Sequence, residues 1–148
     1  MWAIKSLLVG KAVLVLCNVR QTTQGGTRPD DPCGDKNSNR EMRECYANEQ
    51  ARVNAQADAL VARIASDQIK AATDPVLKGV VGDLLKKAAS TLTLSQQTCK
   101  TYRDQHCEAM AYSWTNGSGA GTAYESCMFQ LGKARVGQLR SDFPETTP

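Results

Sequence analysis

Cys33 and Cys45 are twelve residues apart, and Cys107 and Cys127 are twenty apart. Thiols at such positions can form disulfides, bind a metal or act as nucleophiles, and the spacing separates these uses. Twelve residues of one helix span roughly 18 Å, whereas bridged Cα atoms lie within about 7 Å. A Cys33–Cys45 bridge therefore requires Cys33 to lie outside the helix that carries Cys45. Between Cys107 and Cys127 runs Asn116-Gly117-Ser118-Gly119-Ala120-Gly121, a composition that reverses a chain. These two can meet across an αα hairpin. Each closure contributes roughly 3 kcal/mol on the loop-entropy model. Both need an oxidising compartment.

A second group with chemical potential is Tyr102-Arg103-Asp104, just before His106-Cys107. The guanidinium of Arg103 can grip a carboxylate through two parallel hydrogen bonds, either on a partner, as a recognition patch, or on a neighbouring helix, as an internal salt bridge. His106 is the only histidine. With Cys99 and Cys107 it is too sparse a donor set for structural zinc, which takes four ligands at tighter spacing, so no metal or cofactor is expected. No strained nucleophile turn accompanies His106, so no catalytic residue is assigned and an enzyme is disfavoured. Cys99 lies about 12 Å along the same helix from Cys107, beyond bonding reach. It reads as a buried free thiol acting as a small hydrophobe, or as the partner of Cys17. The segment from Trp114 to Thr122 joins an aromatic ring to amide and hydroxyl groups and glycines, next to a bridge that limits the entropy lost on binding. Trp114, Asn116, Gly117 and Ser118 are therefore candidate partner-binding residues; the alternative is an ordinary connector.

These residues must be held by helices. Ser38 and Glu41 have capping-box spacing ahead of Met42, Tyr46, Val53, Ala57, Leu60 and Ile64, which predicts a helix from about Asn39 to Ala71. Thr73-Asp74-Pro75 reads as a stop and an immediate restart. The second helix then reaches Tyr112 or Ser113, with Leu77, Val81, Leu84, Ala88, Leu92, Cys99 and Tyr102 as its core stripe and a weak point around Thr91 to Ser95. After the glycine turn, Tyr124, Cys127, Met128, Leu131, Arg135, Val136 and Leu139 outline a helix ending near Asp142, closed by Phe143-Pro144. The expected fold is all-α, a disulfide-stapled antiparallel bundle of three to four helices. A long coiled-coil dimer is the structural alternative.

The expected layout is an export signal or lipoprotein-like start over 1–20, a flexible lead-in over 21–37, the helical domain over 38–143 and a frayed tail over 144–148. Lys5 and the apolar run to Val19 have the character of an export signal, and Leu14-Val15-Leu16-Cys17 resembles a lipoprotein box. The run from Ala12 to Cys17 is too short to span a bilayer, which takes about 20 apolar residues. Membrane attachment is then expected only through lipid on Cys17. The formal charge is +3, yet from Asp31 onward fourteen basic residues balance fourteen acidic ones. Nucleic acid is a poor partner for so balanced a surface with few aromatics.

Cys33 and Cys45 leading into a helix, Ser95-Gln96, Tyr102-Arg103-Asp104 followed by Cys107, Gly117-Ser118, Cys127-Met128, Arg135 and Leu139 together resemble the lysozyme inhibitor LprI-like family from about Cys33 to Leu139. Members commonly have Trp where this chain has Cys99. The resemblance implies a secreted, periplasmic or lipid-anchored bacterial helical domain that, in named cases, inhibits lysozyme. The expected function is therefore binding and occlusion of a peptidoglycan-degrading enzyme, possible roles including that of an immunity protein. The alternative is an envelope adaptor or scaffold docking another protein through its helical surface. A basic lysozyme is best met by a negative surface. That requires Glu41, Glu44, Glu49, Asp104 and Glu108 to gather in space.

Overall fold

The computed structural model describes residues 31–114 and 117–146. The export-signal and Cys17 readings, most of the lead-in, and Asn116 fall outside those residues. Three long helices form the bundle: α1 (Asn39–Ala72), α2 (Val80–Tyr112) and α3 (Ala120–Asp142), followed by a single 3₁₀ turn (Pro144–Thr146). Among the described residues there is no strand, and no helix is long and apolar enough to cross a membrane.

Helix α1 begins as its sequence dictates. Ser38 Oγ accepts from the Glu41 amide at 3.2 Å, and the Glu41 carboxylate returns to the Asn37 amide at 3.3 Å, satisfying two donors of the open first turn. The stripe Tyr46, Val53, Ala57, Leu60 and Ile64 is buried as its spacing requires. Asp74 caps the following turn through the Val76 amide at 2.8 Å. The second helix nevertheless starts at Val80, not at Pro75. Gly79 adopts φ 98°, a backbone state that a side chain disfavours and that a helix cannot pass through. From there α2 runs unbroken to Tyr112. The hydroxyl cluster does not interrupt it, because Thr93, Thr98 and Thr101 each bond back to the carbonyl four residues earlier.

The expected core stripe of α2 is corrected. Val81, Leu84 and Ala88 are exposed, and the inward seam is Gly82, Ala89, Gln96 and Arg103, four positions at seven-residue intervals. The cause lies at the first of them. A Cβ on Gly82 would stand 2.9 Å from the Ala72 carbonyl oxygen, so the corner between α1 and α2 closes only with glycine facing inward. Leu84, two residues on, then points to the opposite side.

Residue partners fix the topology. Asn54 and Asp58 of α1 meet Arg103, Lys100 and Gln96 of α2 in reverse order, so these helices are antiparallel. Gly121 and Gly132 of α3 lie against Arg43 and Val53 of α1 in the same order, so α1 and α3 run parallel. We call the end bearing the α2–α3 hairpin the tip and the end bearing the α1–α2 turn the base. A Cβ on Gly132 would fall 2.7 Å from Val53 Cγ2; its absence lets α1 and α3 close on each other. Toward the base, Ala57, Leu60, Val61, Ile64, Val136 and Leu139 form one buried cluster, with Leu92 and Phe143 against it. Toward the tip, Cys33, Tyr46, Val53 and Phe129 form a second.

Candidate functional site

Both expected bridges are formed: Cys33–Cys45 with Cα atoms 5.9 Å apart, and Cys107–Cys127 at 5.5 Å. Both sit in the tip half. The first ties the segment before α1 onto that helix. Tyr46 reinforces it, donating from its hydroxyl to Asp31 at 2.7 Å while its ring lies 6.0 Å from Phe129. The second closes the hairpin two turns below its apex. Cys99 is disulfide-bonded and only half-buried, which corrects its reading as a buried free thiol. The pairing with Cys17 lies outside the described residues.

At the tip, the Trp114 ring lies over Gly119: a Cβ there would come within 3.0 Å of the ring. The indole is held by this glycine seat yet remains 52% exposed. Gly117 turns back to the Trp114 carbonyl at 2.9 Å. Ser118 accepts from Asn39 of α1 at 3.4 Å, and Thr122 donates to the Asn39 carbonyl at 3.0 Å, so the turn is fastened to the start of α1. Beside it opens a polar groove of about 670 Å³, with Asn39, Arg43 and Glu44 on one wall and Ser118, Thr122 and Glu125 on the other.

The carboxylates gather at this end. Tyr124 has its hydroxyl pushed up first by burial and then by the charges of Asp104, Glu125 and Glu108, with Arg103 opposing. Tyr112 is raised by its bond to Glu108, at 2.9 Å, and by that group's charge. Asp104, Glu108 and Glu125 thus lie close enough to these two tyrosines to act on their hydroxyls. The paired Asp58 and Lys100 lie at mid-length. On the tip side of them, Lys36, Arg40, Arg43, Arg52, Arg103 and Lys133 face Asp31, Asp35, Glu41, Glu44, Glu49, Asp104, Glu108 and Glu125, leaving that half two units negative. Beyond the mid-length level of Asp58, Lys100 and Arg135, six basic residues against five acidic ones leave the base one unit positive. A near-neutral chain thus folds into a molecule with two oppositely charged ends.

The Tyr102-Arg103-Asp104 group does not face one way. Arg103 is turned inward, its side chain 12% exposed, and donates to Asn54 of α1 and to Asp104 beside it. Tyr102 stacks on His106 with ring centroids 5.5 Å apart. Asp104 is exposed and accepts from Arg103. Tyr102 stands ten residues before Tyr112, the last residue of α2, roughly 15 Å below the tip end of that helix.

Sequence reasoning missed a polar layer beneath. Gln96 is buried; its amide donates to Asp58 at 3.0 Å and its oxygen accepts from Arg135 at 3.1 Å. Lys100 donates to the other Asp58 oxygen at 2.6 Å. Burial by itself would raise Asp58, but the bonds from Lys100 and Gln96 outweigh it and hold its carboxyl below the usual range. Desolvation lowers Arg135 from its ordinary value, partly offset by Asp142. The layer borders a cavity of about 30 Å³, room for one water. Its sequence signal is the seven-residue recurrence of small and polar residues on α2. Among the described residues no cluster of metal-ligating groups occurs.

A bundle of three helices, covalently fastened at the end that presents an aromatic ring, carboxylates and a groove, is a small disulfide-stapled all-α scaffold. The chain belongs to the lysozyme inhibitor LprI family, which matches residues 31–139. That family is one of inhibitors associated with the cell envelope and the extracellular space. No curated protein and no solved structure matches the chain.

Proposed function

We propose that this protein is a non-enzymatic, exported inhibitor that seats its tip on a peptidoglycan-cleaving enzyme of the lysozyme type and blocks the substrate cleft. Trp114 and its surroundings, Asn116, Gly117 and Ser118, make the central contact, and Asp104, Glu108 and Glu125 steer the encounter. Tyr102 and Arg103 brace the hairpin from below. The observation that carries this reading is the half-exposed Trp114 seated on Gly119 at the negative end. An immobilised aromatic loses little entropy on binding, and a negative end accelerates association with a basic enzyme. Exposed carboxylates around an aromatic also fit a cleft built to hold sugar rings.

The test is a turbidity assay on bacterial cell walls, with purified protein titrated against several lysozymes. Stoichiometric loss of clearing with at least one of them is the expected result. Absence of inhibition throughout would overturn the proposal, and recovery of a secretion or assembly component from periplasmic extract would then favour the adaptor reading.

A further inference from the structure

The base carries an apolar corner that the fold leaves open. Val76 is 89% exposed, Val80 78% and Leu84 61%, with Val81 half exposed beside them. Val80 and Leu84 share one side of α2, a turn apart, and Lys87 continues that side. Lys78 stands between Val76 and Val80 in the connecting turn. The neighbouring carboxylates are already engaged: Asp83 with Lys86, Asp67 with Lys70, and Asp74 with the Val76 amide. Among the described residues, Lys78 and Lys87 have no carboxylate within ion-pair distance.

We propose that this corner docks the protein on an anionic phospholipid surface, with Val76, Val80 and Leu84 entering the headgroup boundary and Lys78 and Lys87 meeting lipid phosphates. Charge complementarity selects this occupant. Lys78 and Lys87 carry charge that, among the described residues, no neighbouring carboxylate offsets, so a bilayer with a negative surface attracts the corner, whereas a second copy offering the same corner repels it. Apolar side chains flanked by lysines are the combination that enters an interface. Docking by the base would stand α1, about 50 Å long, away from the bilayer and turn the negative tip outward. This inference does not depend on the inhibitory role.

The full chain, incubated with phosphatidylcholine vesicles with or without phosphatidylglycerol and then sedimented, provides the test. Binding is expected to require phosphatidylglycerol and to weaken about tenfold with added salt. The double variants Val80→Ser/Leu84→Ser and Lys78→Glu/Lys87→Glu each lower it by at least about fivefold, with thermal unfolding unchanged and any hydrolase inhibition retained. Wild-type binding by both variants, binding indifferent to phosphatidylglycerol, or self-association abolished by the same substitutions in vesicle-free sedimentation would each overturn the proposal.

Discussion

Arg135 of α3 donates from Nε to the side-chain oxygen of Gln96 on α2, 3.1 Å away, and its remaining bonds also go to neutral acceptors, Gln138 and Ser95. The guanidinium is held between helices by dipoles. Gln96 in turn bonds Asp58 on α1, so one amide ties all three helices together. Removing it leaves a half-buried cation and a carboxylate each short of a partner. Gln96→Ala is expected to cost about 1–3 kcal/mol, read as a lower midpoint in urea or thermal unfolding. A shift within error would show that water replaces the amide.

Trp114→Ala is expected to weaken inhibition by at least about tenfold while leaving helical circular dichroism and the unfolding midpoint unchanged, since the ring covers only the surface of Gly119. Gly119→Ala displaces the ring without deleting it. If presentation of the indole matters, that variant loses activity too; full activity in both would place the contact elsewhere.

Reversing the charge at Glu108 and Glu125 tests steering. Against a basic lysozyme the association rate is expected to fall several-fold at low salt and to approach that of the wild type as salt rises, with the dissociation rate little changed. Stopped-flow binding over a salt series measures both. A rate indifferent to the reversal would remove the tip's charge from the mechanism.

Burial first, and then the hydrogen bond and charge of Asp31, push the Tyr46 hydroxyl up to about 12 from an ordinary value of 10.0. The folded state thus holds this proton more tightly than the unfolded chain. Its contribution to stability is whole below pH 10 and is lost as the pH climbs through about 12. In an absorbance titration of phenolate, Tyr46→Phe is expected to delete the last component to ionise. An unchanged upper limb would contradict the Asp31 contact.

Helix α1 could be read from its letters because its cap and its apolar period agree; the Cys107–Cys127 bridge matches the chain reversal between its ends, and the Cys33–Cys45 bridge matches a Cys33 placed ahead of the helix. Helix α2 was harder. Its valines and Leu84 carry the periodicity that normally marks a core, but the inward position at Gly82 is decided by a carbonyl of α1, a contact between segments that no local pattern encodes. Asn54 and Asp58 have no local signal, and Gln96 stands out only through the family resemblance, for a related reason: a polar residue on a helix looks solvated until its partner on another helix is known. Phe129, buried against Tyr46, was passed over beside the apolar positions chosen for α3. The tip residues were legible as a loop rich in binding groups, while the sorting of charge between the two ends required knowing which helices run parallel.

Both bridges described above stand at the same end of the rod, and among the described residues the other end is closed by the packing of Ile64, Leu139 and their neighbours. The molecule is therefore fastened by two unlike means. A reductant would slacken the tip and spare the packed cluster at the opposite pole, whereas cold or urea would work first on that cluster. Stiffness where contact is made would then be set by the redox state of the surroundings, independently of what keeps the chain folded.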